Sequence, residues 1–473
     1  MFLSEVCNII KIIKIFNLNK NRKFKTITNS TEIADHSSIL VINSTKFKKK
    51  FLTNSQKKNI PALITNKYIK EFHNTQFIVK NTNKESLKIL QGLFPYKPDK
   101  SIAITGTNGK TSVAWYLSQI CNQANLKTKM LGTLGFYKNH KKVKDTFLTT
   151  PAFEDLYQFS HSKNKSTYNF IFEASSHALS QNRLRNIPVD IAAITNISND
   201  HLDYHKNMSN YTKAKFLLFK KYLNNEGFAV INYNLKNLNE LKKIIKKRKI
   251  KNIIYGAKDI FFEKKNKLYL NIYKKKYLIK NLNINNIEKQ NIECAISIAL
   301  LLKINIGLII KILNKLKIAP GRLQKIKLKK GKGVVIIDYA HTPDALKNVL
   351  IEYTTNKIKP SILFGCGGNR DFSKRELMAL VAKKYANKVY ITDDNPRNED
   401  PKKIRKEILK YCPKGIEISD RKIAIKTAIK NMSENDILIL AGKGHEKYQI
   451  FKNKRISFDD SKVAKEAIDK KKC

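Results

Sequence analysis

Gly106-Thr107-Asn108-Gly109-Lys110-Thr111 is the stretch of this 473-residue chain whose residue types and spacing most directly suggest chemistry. Gly106 and Gly109 let backbone N–H groups close on an anion, Lys110 can reach a terminal phosphate, and the Thr111 hydroxyl can ligate Mg²⁺. The form is G-x-x-G-K-T, with Ile104 where the common phosphate loop has its first glycine. Glu173-Ala174-Ser175-Ser176-His177 groups a carboxylate, hydroxyls and an imidazole. Asn199-Asp200-His201-Leu202-Asp203-Tyr204-His205 adds two histidines and two carboxylates within seven residues. The spacing is not that of a structural zinc site and no cysteine lies near it. Oxygen ligands with an imidazole suit Mg²⁺, so the residues imply binding of a nucleoside triphosphate with its metal.

These groups need strand ends to hold them. Ile102–Ile104 runs into the glycine loop, and Val113, Ala114, Leu117 and Ile120 continue as one side of a helix; strand, turn and helix N-terminus together favour phosphate. Strands are predicted at 39–42, 62–65 and 77–79, then 129–131, 170–173, 191–195, 228–232 and 252–255, with a hairpin-like pair at 267–272 and 277–279 around Lys274–Lys276. From residue 334 onward, apolar runs at 334–337, 362–364, 389–391, 416–418 and 437–440 alternate with helical patterns at 344–353, 374–385, 401–411 and 421–432. That repeat predicts a mostly parallel sheet with its active edge beyond the strand C-termini. Cys366-Gly367-Gly368-Asn369-Arg370, Asp393-Asp394-Asn395-Pro396-Arg397 and Gly442-Lys443-Gly444-His445-Glu446 each follow such a strand and should share one rim. The expected fold is α/β in three domains: a reduced N-terminal domain (1–97), a central phosphate-loop ATPase-like sheet (98–321) and a C-terminal Rossmann-like, mostly parallel sheet (322–473).

Composition narrows the function classes. A hydrophobic content of 42% fits a globular chain. The longest apolar candidate, Cys294–Leu313, is broken by Lys303, Asn305 and Lys311, short of the ~20 residues a membrane span needs. The N-terminus mixes isoleucines with Lys11 and Lys14 and lacks a cleavage site, so no signal peptide is read. Six cysteines without a C-x-x-C pair suit reduced thiols in a cytoplasm. The net charge of +54 is mostly lysine spread along the chain, with runs such as Lys48–Lys50, and accompanies an excess of Asn and Ile. That is the mark of A/T-rich codons and a solvated surface. No helix-turn-helix, zinc-finger or RNP signature suggests nucleic acid.

Taken in order, G-T-N-G-K-T (106–111), T-T-P (149–151), E-A-S-S-H (173–177), N-D-H-L-D-Y-H (199–205), Y-T-K-A-K (211–215), A-P-G-R (319–322), D-Y-A-H-T-P-D-A-L (338–346), G-C-G-G-N-R-D (365–371), D-D-N-P-R (393–397) and A-G-K-G-H-E (441–446) resemble the Mur ligases, ATP-dependent peptide-bond-forming enzymes of bacterial cell-wall synthesis. The resemblance spans roughly residues 100–450. It implies ATP binding by Gly106, Thr107, Asn108, Gly109, Lys110, Thr111 and Ser112, with Asn291, Arg322, Asp338 and His341 at ATP or the interdomain hinge. Thr111, Glu173, His201 and a carbamylated Lys215 would hold Mg²⁺, and Lys110, His201 and Lys215 would carry catalysis. Ser30, Thr149, Thr150, Ser175, Gln181 and Arg183 would bind a UDP-muramoyl dipeptide. Arg370, Asp394, Asn395, Pro396, Arg397, Gly442 and Glu446 would bind the incoming amino acid. The D-N-P-R loop points to the diaminopimelate-adding branch; a lysine-adding ligase and a folylpolyglutamate-synthase-like ligase are the alternatives.

The chain departs from the family at three places. Asn29-Ser30-Thr31 stands for a D-S-R uridine signature. Only Asn291 survives of an F-N-x-x-N stretch, with Glu288 at the earlier asparagine, and Asn369 stands where the diaminopimelate enzymes have Asp. The implied reaction phosphorylates a D-glutamate side-chain carboxylate and lets an amine displace the phosphate. The implied setting is a cytoplasmic monomer with no membrane span.

Overall fold

The computed structural model describes residues 1–42, 59–264, 266–280, 282, 284–355, 358–452 and 454–471. Lys48–Lys50 lies outside the described residues. The chain forms two compact units, Met1–Ala103 with Asn125–Ala192 and Leu217–Gly227, and Ile104–Ala124 with Ala193–Phe216 and Phe228–Cys473.

In the first unit a five-stranded sheet has the order Lys14–Phe16, Thr75–Ile78, Ala62–Thr65, Ser38–Ile42, Thr26–Thr28. All neighbours are parallel except the pair at the Lys14–Phe16 edge. The central strands are apolar because helices or loops must cover both faces of such a sheet. The two edge strands escape sequence reading because three residues carry no alternation. Gln76 is fully buried and closes the turn before its strand, giving Nε2 to Ile69 O (2.9 Å) and Phe72 O (2.8 Å). The same unit pairs Asn169–Glu173 in parallel with Thr128–Gly132, followed by the antiparallel strands Gly135–Lys138 and Lys141–Lys144. The last is Lys-Lys-Val-Lys and wholly exposed, a charged edge that resists pairing with other chains. Helix Phe153–Ser160 is tied to the five-stranded part by Thr28 Oγ1 donating to Asp155 Oδ2 (3.1 Å) and Ser86 Oγ to Glu154 Oε1 (3.4 Å).

In the second unit the strands follow the order Leu268–Ile272, Ile260–Lys264, Lys251–Tyr255, Leu223–Asn232, Val189–Ile194, Lys100–Thr105, with Lys275–Ile279 outside the first. The last three contribute their C-terminal ends to this unit. The hairpin around Lys274–Lys276 is present as read, with Leu268 opposite Ile279. The stretch Cys294–Leu313 falls into helices Asn286–Leu301 and Ile306–Leu313. No described helix is long and apolar enough to cross a membrane.

The C-terminal sheet has the order Gln324–Lys327, Val334–Asp338, Ile437–Ala441, Ser361–Phe364, Val389–Ile391, Ile416–Glu417, parallel except at its first edge. Alternate residues serve opposite faces. Ile336, Ile362, Phe364 and Ile439 pack with helices Pro343–Glu352, Ser373–Tyr385 and Pro401–Tyr411. Val335, Ile337, Leu363, Leu438 and Leu440 pack with Arg421–Lys430 and Asp460–Lys470. Two apolar faces produce the uninterrupted runs seen in the sequence. One ion pair is sealed inside: Arg421 Nε and NH2 reach Asp460 Oδ1 (2.8 Å) and Oδ2 (2.7 Å), and NH2 also donates to Ala441 O (3.0 Å). Both side chains are fully excluded from solvent. Asp460→Asn should therefore lower the unfolding free energy by about 3–5 kcal/mol, since it strands a buried guanidinium. Urea denaturation checks this, and a change under 1 kcal/mol would refute the role of the pair.

Candidate active site

Thr105 ends its strand and the chain turns through Gly106 and Gly109, the latter left-handed at φ 88° as the residue before helix Lys110–Gln123. A side chain at Gly109 would meet Asn291 Oδ1 at 2.5 Å, so only glycine lets the loop approach helix Asn286–Leu301. The loop is braced from the end of the neighbouring strand. Thr107 N donates to Asn196 O (2.8 Å), Asn108 N to Asn196 Oδ1 (2.9 Å), and Thr195 Oγ1 to Asn108 O (2.5 Å). Thr195 and Asn196 were not singled out from sequence; their signal is a polar pair at the end of the apolar strand Val189–Ile194.

Around this loop stand most of the residues expected to meet ATP. Lys110 Nζ donates to Gly106 O and Thr107 O, both at 2.8 Å. Arg322 NH2 donates to Thr111 Oγ1 (3.2 Å) and its guanidinium lies 4.4 Å from the Tyr339 ring centroid. Asn108 Nδ2 donates to Thr342 Oγ1 (3.3 Å). Asp338 accepts from Leu323 N (2.9 Å) and Ala340 N (2.8 Å), which fixes the strand end between Arg322 and His341. Ser112, partly buried, sits in the first turn of the helix after the loop.

Lys215 is the least expected in its surroundings. A lysine on a helix is ordinarily solvated, yet Lys215 is buried and donates to Gly106 O (2.8 Å). Burial pushes its pKa well below the ordinary lysine value, the nearby Lys110 ammonium adds to the fall, and Asp200 opposes it. Asp200, also buried, accepts a short contact from Lys374 Nζ and lies 3.5 Å from His201 Nε2 and 4.0 Å from His341 Nε2. Burial alone would raise the carboxyl pKa; Lys374, His201 and His341 instead hold it below the usual range. His201 itself is left-handed at φ 55°, with its N–H on Asp200 Oδ1 (2.8 Å). Asp200 and Lys374 are further groups that sequence reading did not assign.

Among the described residues no three His, Cys, Asp or Glu side chains form a metal cluster. The donors beside the loop are the Thr111 hydroxyl, the Asp200 carboxylate and His201, and a carbamate on Lys215 would add oxygens. Hard oxygen donors completed by phosphate are what Mg²⁺ takes, so this chemistry fits the ion.

In the first unit, Thr149, Thr150, Ser175, Gln181 and Arg183 come together. Thr150 Oγ1 donates to Glu173 O (2.6 Å) and accepts from Ser175 N (3.0 Å); Arg183 NH1 donates to Thr150 O (2.7 Å) and Nε to Gln181 Oε1 (3.0 Å). Ser175 caps helix Ser176–Ser180. Glu173 is buried, accepting from Thr133 N (2.8 Å) and Thr133 Oγ1 (3.1 Å), while Thr133 Oγ1 lies 3.1 Å from Thr149 Oγ1. Thr133 is thus a member of the cluster not read from sequence. Ser30 lies in the turn after Thr26–Thr28, its N–H on Thr28 Oγ1 (3.1 Å).

The three glycine- and proline-bearing loops do meet at the C-terminal rim. A side chain on Gly368 would come 1.9 Å from Pro396 O, so the first two loops touch through backbone. Asn369 is left-handed at φ 51° and accepts from Asn398 N (3.1 Å), a conformation Asn tolerates. Arg397, also left-handed, donates NH1 to Gly368 O (2.9 Å) and Asn395 O (3.3 Å) and forms no ion pair among the described residues. Burial and then the neighbouring Arg370 guanidinium lower its pKa. Two guanidinium groups side by side favour an incoming carboxylate. Asp394, Asn395 and Pro396 are buried, and Glu446, partly buried, accepts from Asn395 Nδ2 (2.9 Å). Gly442 N donates to Asp338 O (3.1 Å).

Residues 104–306 match the Mur ligase middle domain, and residues 321–444 the Mur ligase glutamate ligase domain. The UDP-N-acetylmuramoyl-L-alanyl-D-glutamate–2,6-diaminopimelate ligase of Rickettsia bellii (strain RML369-C) is 37% identical over 432 residues, covering 88% of this chain and 90% of that protein. The protein of the same name from Buchnera aphidicola subsp. Baizongia pistaciae (strain Bp) is 38% identical over 396 residues, covering 78% and 76%. A solved structure of a UDP-N-acetylmuramoyl-L-alanyl-D-glutamate–2,6-diaminopimelate ligase superposes with a TM-score of 0.58 at 27% identity, covering 99% of each chain. The chain belongs to the Mur ligase family.

Proposed function

We infer that this chain is the ATP-dependent ligase that joins meso-diaminopimelate to the D-glutamate of UDP-N-acetylmuramoyl-L-alanyl-D-glutamate in peptidoglycan precursor synthesis, a cytoplasmic monomer in three domains divided near residues 97 and 321. The observation that carries it is the phosphate loop with a buried lysine, Lys215, beside the phosphate-binding Lys110. A nucleotide switch has no use for that second lysine. A ligase that must neutralise an acyl phosphate does, since CO₂ would turn the amine into a carbamate whose oxygens could help hold Mg²⁺.

The division of labour follows from the residues. Gly106–Ser112 cradle the ATP phosphates, with Lys110 offsetting charge on the transferred group, and Asn291, Arg322, Asp338 and His341 line the nucleotide side. Thr149, Thr150, Ser175, Gln181, Arg183 and Ser30 bind the UDP-muramoyl dipeptide. Thr111, Glu173, His201 and carbamylated Lys215 would hold Mg²⁺, which when bound supplies charge neutralisation at the phosphates. Arg370, Asp394, Asn395, Pro396, Arg397, Gly442 and Glu446 bring in the amino acid, Arg397 taking its distal carboxylate. Transfer needs positioning and electrostatics more than covalent help from the protein. The amine then displaces phosphate from the acyl group.

Three outcomes test this reading. Lys110→Ala should reduce dipeptide-dependent ADP release by at least a hundredfold, about 3 kcal/mol of lost transition-state stabilisation; near-normal turnover at saturating ATP would sink the phosphate-loop role. Because CO₂ adds only to a neutral amine, and burial lowers the Lys215 pKa toward that form, stripping CO₂ should lower activity reversibly. Carbon-13 NMR with labelled bicarbonate should show one carbamate, absent in Lys215→Ala; a plain lysine in active enzyme would refute it. Arg397→Lys keeps the charge but loses the fork, so the KM for meso-diaminopimelate should rise tenfold or more. A preference over L-lysine that survives the substitution would refute the role of Arg397, and a wild type that takes L-lysine equally well would refute the specificity assignment.

A further inference from the structure

Lys443 is completely buried, which a lysine tolerates only when its charge is met. Its Nζ donates to Asn395 Oδ1 (3.1 Å) and Glu446 Oε2 (3.0 Å) and stands 3.6 Å from Asp394 Oδ1. Asn395 completes the ring, giving Nδ2 to Glu446 Oε2 (2.9 Å) and accepting Ile450 N on Oδ1 (3.0 Å). The two loops joined this way follow Val389–Ile391 and Ile437–Ala441, strands that do not neighbour each other, because Ser361–Phe364 lies between them. Lys443 is thus a bridge across a gap in the rim.

The ring settles what each side chain has left to offer. The Asn395 oxygen is fully committed, and Oε2 of Glu446 holds two donors. Among the described residues, Glu446 Oε1 has only Tyr339 OH at 3.4 Å, the long end of the hydrogen-bond range.

We propose that Lys443 is a positioning residue of the amino-acid site: it locks Asn395 and Glu446 in one arrangement so that Glu446 Oε1 is presented to the distal ammonium of the incoming diamino acid. This rests on the reading of the chain as a diaminopimelate-adding ligase. Asn395 then acts through the ring and not as a direct ligand through its oxygen. A purely structural salt bridge would hold the loops without favouring one substrate.

The test is steady-state ADP release by Lys443→Met and, should that variant not fold, by Lys443→Gln, an uncharged polar side chain one atom shorter that cannot close the ring. Thermal unfolding identifies the folded protein. The folded variant should show a KM for meso-diaminopimelate raised tenfold or more, with the KM for ATP within twofold and kcat at saturation within threefold. An unchanged KM for the amino acid, or an equal rise in both KM values, overturns the positioning role. Wild-type protein that releases no ADP on addition of meso-diaminopimelate would overturn the parent reading as well, a failure visible before any substitution is made.

Discussion

Gly106 O accepts hydrogen bonds from both Lys110 Nζ and Lys215 Nζ, each at 2.8 Å. Two unit charges within about 6 Å repel by roughly 3 kcal/mol at an effective dielectric of 20, so the pair is comfortable only when one lysine is neutral or has become an anion. The phosphate loop supplies that carbonyl only because Thr195 and Asn196 pin its backbone from the neighbouring strand end. Gly109 in turn leaves Asn291 room beside it. The remaining geometry of the nucleotide side depends on this crowded oxygen and on which of its two donors carries charge.

A similar economy governs the C-terminal rim. Charges are buried there in matched sets: Arg421 with Asp460 beneath the sheet edge, Lys443 with Asp394 and Glu446 above it. Arg397, half-buried and without an ion pair among the described residues, is the exception, since burial and the neighbouring Arg370 guanidinium both lower its pKa. Neighbouring guanidinium groups at this rim are what the proposed carboxylate of the incoming amino acid would pair with. Asp200 plays the corresponding part by the phosphate loop, where Lys374, His201 and His341 converge on one buried carboxylate.

The sequence by itself determined the parallel C-terminal sheet, the phosphate loop and the three rim loops. Apolar runs buried on two faces cannot be mistaken for solvated segments, and glycine–lysine loops after strands have few other uses. The hairpin around Lys274–Lys276 was legible from the two strand-like stretches that flank the lysine run. Edge strands such as Thr26–Thr28 and Gln324–Lys327 were not, since a short strand with one covered side leaves no periodic trace.

Tertiary structure decided which charged side chains are buried, because that depends on residues distant in the chain. The residues around Lys215 and Lys443 do not by themselves mark either as buried in a chain with 92 basic residues; only the family resemblance of Y-T-K-A-K and A-G-K-G-H-E drew notice to those stretches. Their burial comes from Gly106, 109 positions away, and from Asn395, 48 positions away. Thr133 joined the Thr149 cluster, and Lys374 joined Asp200, for the same reason. Spacing along the chain specified the loops; desolvation by remote neighbours chose the groups within them whose charge has to be answered.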